Sequence, residues 1–249
     1  MTTLGPFELG PETRHPAYGI YYGDARQLVR HIPDESVGLV LTDPPFGIGF
    51  SYGSGYRDDP GRYVADILSW LVPEINRVLV PGGYAFVFQA RLRLRETWQH
   101  FPADSRIFAA CKNFAQVGRG EILESFDPVV FWRKGDVARL PSGSGHRRDW
   151  FIANTARTGG RRDNAFHDCP RPLDVIEYIV DRFSLAGDVV LDLFAGSGTT
   201  CVAARRTGRR YLAFELDLTY CAGARERVRN AQPPLLVPQA EQLGLEIVA

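Results

Sequence analysis

The sequence predicts an α/β protein built on a doubly wound, mostly parallel sheet. Apolar runs of strand length alternate with stretches whose apolar residues recur at helical spacing, the pattern of parallel strands joined by crossover helices. Ligands of such sheets bind beyond the carboxyl ends of the strands. A single acidic residue at a strand end is commonly a helix cap, but four predicted strand ends carry one, namely Asp24, Asp43, Asp192 and Glu215.

Chain length and composition fit a single domain spanning 1–249. The 249 residues are 45% apolar, which suffices for one large core. No apolar run approaches the roughly 20 residues that cross a bilayer, and no N-terminal signal core is present, so we expect a soluble, cytoplasmic protein. The ends, 1–17 and 233–249, are predicted to be loosely packed arms.

In the first half of the chain, each predicted element follows from its apolar spacing. Short apolar runs bounded by turn residues predict strands, and apolar residues at intervals of three and four predict helices. In order, the predicted elements are a strand at 19–23, a helix at 25–32, a strand at 37–42, a helix at 62–79, a strand at 84–88, a helix at 92–101, and strands at 106–110 and 128–132.

The second half is predicted to begin with an insert at 134–164. Apolar periodicity is lost there, and Gly, Ser, Arg and Thr accumulate. We expect a compact loop insert within the domain and not an independently folded module. Pro172 then favours a helix start, and the remaining predicted elements are a helix at 173–185, a strand at 189–192, a helix ending at 206 and a strand at 210–214.

Asp43-Pro44-Pro45-Phe46 ends the predicted strand at 37–42. Two prolines cannot continue a sheet ladder, and their fixed φ holds the Pro44 carbonyl and the Asp43 carboxylate in one direction beside the Phe46 ring. Two acceptors can satisfy both N–H bonds of an exocyclic amino group while the ring stacks on its heterocycle. The motif therefore predicts a pocket for a flat group bearing an amine. A proline-ended strand with a capping Asp is the plainer alternative.

A glycine turn, Phe194-Ala-Gly196-Ser-Gly198, follows the strand that ends at Asp192. Glycines permit close approach of a ligand, and the amides of the following helix face whatever lies above the strand. Glu215 ends the next strand about twenty residues on, where an acidic side chain can accept both hydroxyls of a ribose. This pattern indicates a nucleotide cofactor. A nicotinamide dinucleotide enzyme has similar spacing, but its third glycine would fall at Cys201.

Together, Asp43-Pro-Pro-Phe46 and Phe194-Ala-Gly-Ser-Gly198 resemble the motifs of the S-adenosylmethionine-dependent amino-methyltransferases of DNA, in the permuted order of their beta group. Members of that family carry a [DNS]-P-P-[YFW] motif first, a target-recognition segment next and an F-x-G-x-G motif last. In this chain the first and last motifs lie about 150 positions apart. The resemblance implies a circularly permuted, seven-stranded, Rossmann-like methyltransferase fold with 134–164 as the target-recognition insert.

The resemblance also implies the site residues. Asp43, Pro44, Pro45 and Phe46 are expected to be catalytic, holding the amine of a flipped-out base while the methyl group of S-adenosyl-L-methionine is transferred and S-adenosyl-L-homocysteine is released. Asp24 is expected to face the cofactor's adenine, and Glu215 its ribose. The residues expected to bind the cofactor are Asp24, Asp43, Arg171, Asp192, Phe194, Gly196, Ser197, Gly198, Thr199, Glu215 and Leu216.

Arg171 stands where this family has a lysine in an H-x-x-x-K-P sequence, and it is expected to meet the cofactor carboxylate. Here the sequence is His167-Asp-Cys-Pro-Arg171-Pro172, so the family pattern is only partly kept.

The resemblance leaves the methylated base open, because adenine-N6 and cytosine-N4 enzymes share this machinery. Asp before Pro-Pro is commoner among adenine enzymes and favours adenine N6. An alternative of another class is a catalytically inactive subunit that binds cofactor and nucleic acid, which the intact Asp-Pro-Pro-Phe disfavours. DNA is the expected partner. A homodimer and a partner restriction endonuclease also remain open.

Charge is unevenly distributed, although the whole chain is formally neutral. The stretch from Arg133 to Arg171 holds nine Lys or Arg residues and four Asp residues, so it carries +5 and the rest of the chain −5. A basic segment on an acidic body is typical of a phosphate-binding face, although an arginine-rich solvated loop is the alternative. The residues predicted to contact DNA are Arg147, Arg148, Arg157, Arg161 and Arg162.

The four cysteines are widely spaced and form no metal-binding pattern. We therefore expect reduced thiols and no metal site. No Pro-Cys dipeptide occurs, which argues against the cytosine-C5 methyltransferases, whose attacking thiolate follows a proline.

Overall fold

Strands and helices alternate along most of the chain. The computed structural model of the protein describes residues 3–4, 7–8, 19–49, 64–117, 123–140, 147–153 and 171–231. The strands are β1 (Thr3–Leu4), β2 (Phe7–Glu8), β3 (Gly19–Tyr22), β4 (Val37–Thr42), β5 (Leu79–Phe88), β6 (Arg106–Val117), β7 (Leu123–Arg133), β8 (Trp150–Ala153), β9 (Val189–Asp192) and β10 (Arg210–Glu215). The α-helices are α1 (Ala25–Leu28), α2 (Ser69–Val78), α3 (Leu94–Thr97), α4 (Leu173–Phe183), α5 (Thr199–Arg206) and α6 (Leu218–Asn230). A π turn at Val64–Leu68 leads into α2, and short 3₁₀ turns lie at Val29–His31, Arg91–Arg93 and Trp98–His100.

The main sheet has the order β3-β10-β9-β4-β5-β7-β6-β8, while β1 and β2 pair with each other. From β3 to β5 all neighbouring strands are parallel, so their carboxyl ends meet at one edge of the sheet. β7 runs antiparallel to β5 and β6, and β8 is parallel to β6. This is the doubly wound, mostly parallel α/β sheet that the sequence predicts.

Helices cover both faces of the sheet because its central strands are apolar on both sides. Every residue of β4 and β9 is buried. On one face α2 packs into the core through Leu71, Ile75 and Val78. On the other face α4 packs through residues such as Ile179 and Phe183. The strand ends beneath the candidate site are therefore fixed from two sides.

Among the described residues the main sheet has eight strands, one more than predicted. The additional strand, β8, lies inside the predicted insert and pairs with β6, with Trp150 opposite Ala109. The residues of 134–164 that are described are 134–140 and 147–153, so the role of this segment as a recognition insert stays a prediction. Most of the predicted arm 1–17 and all of 233–249 lie outside the described residues.

Strand boundaries differ most from prediction at β5, β6 and β7. β5 begins at Leu79, five residues before the predicted start at 84, because Gly82 adopts a φ of +78° and a register shift accommodates the extra residues. β6 and β7 continue to pair beyond Phe88, the last residue of β5, and so form an arm at the carboxyl edge, with β8 alongside its first residues. Backbone pairing between two strands needs no apolar pattern, which is why the spacing did not predict this arm.

In the described part of the chain, no helix is both long enough and apolar enough to cross a bilayer.

Candidate active site

The carboxyl ends of β3, β4, β9 and β10 border a cavity of about 710 Å³. Since these strands are neighbours in the sheet, Asp24, Asp43, Asp192 and Glu215 all line this cavity despite their separation in sequence. Its volume lies within the range of pockets that enclose small organic ligands. The convergence expected from the four strand ends is therefore found.

The Asp43–Phe46 segment leaves β4 at the wall of this cavity. β4 ends at Thr42, and neither following proline can donate a hydrogen bond to a neighbouring strand. Asp43 and Phe46 line the cavity and remain partly exposed, whereas Pro44 is buried. An acceptor carboxylate and an aromatic ring thus border the same space.

Arg171, which immediately precedes Pro172 and α4, binds both oxygens of Asp43. Its Nε lies 2.6 Å from Asp43 Oδ2, and its Nη2 lies 3.0 Å from Oδ1. Its Nη1 donates to Asp127 Oδ2 at 2.7 Å. Lys112 Nζ contacts the same Asp127 carboxylate at 3.1 Å and 3.0 Å. Four charged side chains from four separate segments of the chain therefore form one chain of ion pairs at the cavity.

The Arg171 guanidinium also rests on aromatic surface. Its Cζ lies 5.5 Å from the centroid of the Phe46 ring and 4.7 Å from that of Phe88, both within cation–π range. From the resemblance, Arg171 is expected to meet the cofactor carboxylate, whereas the contacts described here are to Asp43 and Asp127. Asp127 was not predicted as a site residue, because only the pairing of β5 with β7 brings it to the carboxyl edge.

Asp192 lies beneath the cavity as a buried hydrogen-bonding centre. Its Oδ1 accepts from Thr42 Oγ1 at 3.0 Å and from the backbone N–H of Phe194 at 3.1 Å, and the Thr200 hydroxyl is a further partner. Burial raises the pKa of this carboxyl to about 7, although the three hydrogen bonds act in the opposite direction. Asp192 therefore ties the start of the Asp43–Phe46 segment to the glycine turn.

The glycine turn carries the chain from β9 into α5. Gly196 and Gly198 have φ values of +49° and +74°, a region that favours glycine. Glu215 holds the turn: its Oε2 accepts from Gly196 N–H at 2.7 Å and its Oε1 from Asp217 N–H at 2.8 Å. Burial raises the pKa of Glu215, with those backbone hydrogen bonds opposing the shift. The Leu216 N–H is a third backbone partner of this carboxylate. A carboxylate has about four acceptor sites, so about one remains for a ligand hydroxyl.

A cation that the sequence did not single out supports the far side of the turn. Arg227, in the last turns of α6, donates to the Ser197 carbonyl at 2.9 Å and to Thr199 Oγ1 at 2.8 Å. Ser197 and Thr199 also share a hydroxyl–hydroxyl hydrogen bond at 3.0 Å. The two predicted cofactor residues are thereby fixed by a helix distant in sequence.

The rim of the cavity combines an acidic and two apolar residues. Asp24 is exposed and caps α1, accepting from Arg26 N–H at 2.9 Å. Leu216 is also exposed. Trp70, which was not predicted, adds an aromatic wall with its ring centroid 6.2 Å from that of Phe194.

The arginines predicted to bind DNA are only partly described. Arg147 Nε donates to the carbonyl of Arg182 at 2.7 Å, and this end of α4 lies at the sheet edge away from the cavity. Arg148 lies with its Cζ 5.0 Å from the centroid of the Trp150 ring. Arg157, Arg161 and Arg162 lie outside the described residues. Their contact with DNA stays a prediction.

Among the described residues, no group of three or more His, Cys, Asp or Glu side chains is arranged to hold a metal ion.

Comparison with known families gives one match that spans the second half of the site. The family model of the N6/N4 DNA methylases matches residues 132–226. That range contains Arg171, the glycine turn, Glu215 and all but the last residues of α6. Asp43 lies before it.

Curated relatives extend the similarity over most of the chain. It is 25% identical over 246 residues to the type II methyltransferase M.BglII of Bacillus subtilis, covering 81% of this chain and 66% of that protein. It is 25% identical over 247 residues to the type II methyltransferase M.BamHI of Bacillus amyloliquefaciens, covering 85% and 57%. YubD of Escherichia coli (strain K12) is 28% identical over 228 residues, covering 84% and 89%. The matches thus span less than two thirds of the two Bacillus proteins.

Solved structures share the fold. A Thermus thermophilus protein crystallised with S-adenosyl-L-methionine matches with a TM-score of 0.63 and 27% identity, covering 88% of this chain and 96% of that one. The cytosine-N4-specific PvuII DNA methyltransferase matches with a TM-score of 0.65 and 21% identity, covering 89% of both chains. At that identity, the PvuII enzyme supports the fold alone.

Proposed function

We propose that this chain, whose residues 132–226 match the N6/N4 DNA methylases, transfers a methyl group from S-adenosyl-L-methionine to the exocyclic amino group of a base in DNA. One observation carries this proposal: the Asp43–Phe46 segment and the turn at Gly196–Gly198 border the same cavity. Methyl transfer requires donor and acceptor to be held in one space. The two motifs supply one binding surface for each.

The side of the cavity formed by the glycine turn suits the cofactor. Gly196 permits close approach of a ligand, and Glu215 is a charged acceptor beside it for a ribose hydroxyl. Phe194 and Trp70 offer aromatic surface, with Asp24 at the rim. When bound, S-adenosyl-L-methionine supplies an electrophilic methyl group and leaves as S-adenosyl-L-homocysteine.

The opposite side suits the target amine. The lone pair of a base amine is delocalised into the ring, so the amine is a poor nucleophile until its N–H bonds are held out of the ring plane. The Asp43 carboxylate and the Pro44 carbonyl are the two acceptors proposed for those N–H bonds. Orientation by these acceptors is the proposed source of most of the rate acceleration, because the reaction needs no covalent enzyme intermediate.

A base inside a duplex cannot reach this cavity, so the target nucleotide is proposed to flip out of the helix. Phe46 is partly exposed at the cavity and is proposed to stack on the extruded base, which is worth roughly 1–3 kcal/mol in other proteins.

Adenine N6 is the proposed target atom, with cytosine N4 as the alternative. The support for adenine is the Asp that precedes Pro44-Pro45, a residue commoner among adenine enzymes of the family that this chain resembles. Either amine offers two N–H bonds to the same two acceptors.

Product analysis tests this proposal. The purified chain is incubated with DNA and methyl-labelled S-adenosyl-L-methionine, and the DNA is digested to nucleosides. We expect the label in N6-methyl-2′-deoxyadenosine. Label in N4-methylcytosine would select the alternative, and cofactor binding without any labelled nucleoside would indicate a catalytically inactive subunit.

A further inference from the structure

In the proposed function, methyl transfer depends on the direction in which Asp43 presents its oxygens, and Arg171 contacts both of those oxygens. We propose that Arg171, held in turn by Asp127, is a positioning residue that fixes the plane of the Asp43 carboxylate for the target amine. This inference rests on the proposed function. Asp127 and Lys112 then act through Arg171, with no contact to cofactor or base required.

The first step of the argument is the forked contact between Arg171 and Asp43. Nε and Nη2 bind the two oxygens at 2.6 Å and 3.0 Å. Because the guanidinium is planar and its two N–H bonds are parallel, this pairing fixes the plane of the carboxylate as well as its position. An ionised carboxylate has about four acceptor sites, so Asp43 keeps about two, which is enough to accept one N–H bond of the amine while the Pro44 carbonyl accepts the other.

The second step is the restraint on the guanidinium itself. Asp127 accepts from the remaining edge, Nη1, at 2.7 Å, which opposes rotation of Arg171 away from Asp43. Lys112 contacts Asp127 in turn, and these two side chains are 14% and 18% exposed. The chain of four groups alternates in sign and sums to zero, so each carboxylate has a cation beside it.

The third step concerns the flat faces of the guanidinium. Phe46 and Phe88 lie within 5.5 Å and 4.7 Å of its Cζ, so Arg171 is restrained by aromatic faces as well as along its edges. Stability alone is a weak reason for such a cluster, because desolvation of a shielded ion pair largely offsets its attraction. Orientation of the carboxylate explains why the cluster surrounds Asp43.

The experiment compares turnover with cofactor affinity in a set of variants. Arg171→Met should lower kcat for DNA methylation about a hundredfold, because a shift of about 1 Å at a reacting group can cost that much. The Kd for S-adenosyl-L-methionine should change less than about threefold, since the lost interaction acts on the amine and not on the cofactor. Arg171→Lys keeps the positive charge but cannot form the forked contact, so its kcat should lie between those of the wild type and Arg171→Met.

Asp127→Asn should lower kcat about tenfold by loosening Arg171. In the Arg171→Met background it should have no further effect, because Asp127 acts through Arg171.

Arg139→Met is the matched control. Arg139 binds both oxygens of Asp188 in another forked pair, just before β9 and at the edge away from the cavity. This variant should lower the thermal midpoint while leaving kcat unchanged well below that midpoint.

Crystal structures of Arg171→Met and Asp127→Asn give a readout that does not need turnover. The Asp43 carboxylate should rotate out of its original plane in both. The inference is overturned if that plane is unchanged, if Arg171→Met raises the cofactor Kd while sparing kcat, or if Asp127→Asn keeps its full effect in the double variant. A wild-type chain that methylates no DNA would instead refute the proposed function, and the crystal structures would still decide the role of Arg171.

Discussion

At Asp192 a single buried carboxyl joins the two motifs on which the site depends. It accepts from Thr42, next to Asp43, and from Phe194, at the start of the glycine turn. Its burial raises its pKa to about 7, so in the folded protein it keeps its proton across a range where an exposed Asp has lost it. Burying the Asp192 carboxyl therefore lowers the stability of the folded protein by an amount that increases with pH.

Asp192→Asn tests this cost. With a folded pKa of about 7 against an ordinary 3.8, the folded state binds more protons than the unfolded state between those values. The wild-type protein should therefore lose stability from this group as pH rises from about 4 to about 7, whereas Asn cannot titrate. Between pH 5 and pH 8 the free energy of unfolding of the variant should gain about 2–3 kcal/mol relative to wild type. Urea unfolding measures it, and a pH-independent difference would place the Asp192 pKa near its ordinary value.

Glu215→Gln tests the proposed ribose site. Gln has the same shape, but it replaces a charged acceptor by an amide and presents one NH₂ group to the N–H of Gly196 or Asp217. Loss of a charged hydrogen bond of roughly 1.5–3 kcal/mol should weaken S-adenosyl-L-methionine binding about ten- to a hundredfold. Calorimetry gives the cofactor Kd, and DNA affinity serves as the control that should not move. An unchanged cofactor Kd would remove Glu215 from the site.

At the scale of elements, the start of α5 requires a left-handed backbone conformation at Gly198. Gly198 precedes its first residue with a φ of +74°, and a Cβ there would lie 3.0 Å from the Cβ of Ala224 in α6. Gly187 has a similar φ of +79°, but nothing lies within 4 Å of its hypothetical Cβ. The two glycines thus share the same backbone requirement and differ in their surroundings.

Gly198→Ala should cost more stability than Gly187→Ala for this reason. Both variants should lose about 1–2 kcal/mol from the left-handed backbone alone. Gly198→Ala should lose further stability because α6 must move away from the new methyl group. It should also weaken cofactor binding at least about tenfold, or about 1.4 kcal/mol. Thermal unfolding and calorimetry of the pair measure both effects. Equal losses of stability with unchanged cofactor affinity in both would show that the turn tolerates a side chain.

Sequence reasoning succeeded where local chemistry decides the structure. The bounds of β4 were predicted as found, because six buried apolar or small residues end at two prolines. The convergence of four acidic residues also followed from one topological rule. Asp127, Lys112 and Arg227 could not be foreseen, since their roles depend on strand pairing and on a helix packing against a turn. No local pattern distinguishes such charges from ordinary surface residues.

Across the whole molecule, the stretch from Arg133 to Arg171 is basic and the rest of the chain is acidic. In the structure, however, the arginines of this stretch have different contacts. Arg139 pairs with Asp188, and Arg147 binds the end of α4 away from the cavity. These contacts tie Arg139 and Arg147 to the fold, so among the arginines predicted to contact DNA we expect larger phosphate contributions from those other than Arg147. Arg161 and Arg162, outside the described residues, are adjacent in sequence and lie ten and nine residues before Arg171.

The double variant Arg161→Ala, Arg162→Ala should therefore bind DNA more weakly and with less dependence on salt. Each neutralised phosphate contributes about −0.9 to the slope of log affinity against log salt, so two lost contacts should flatten it by about 2 units. Arg147→Ala is the comparison and should change the slope by well under 1 unit. DNA titrations at several salt concentrations supply the slopes. A larger change for Arg147→Ala than for the double variant would reverse this assignment.

The most direct measurement of the central claim is single-turnover methyl transfer by wild type and Asp43→Ala with labelled S-adenosyl-L-methionine already bound. If the cavity holds the cofactor on the glycine turn and the target amine at Asp43, the variant should bind the cofactor with at most a modest loss. It should transfer its methyl group to DNA at least about a hundredfold more slowly, because an oriented acceptor of the transition state is gone. Transfer by Asp43→Ala at a rate within a few-fold of wild type would contradict the claim and place the chemistry away from the Asp43–Phe46 segment.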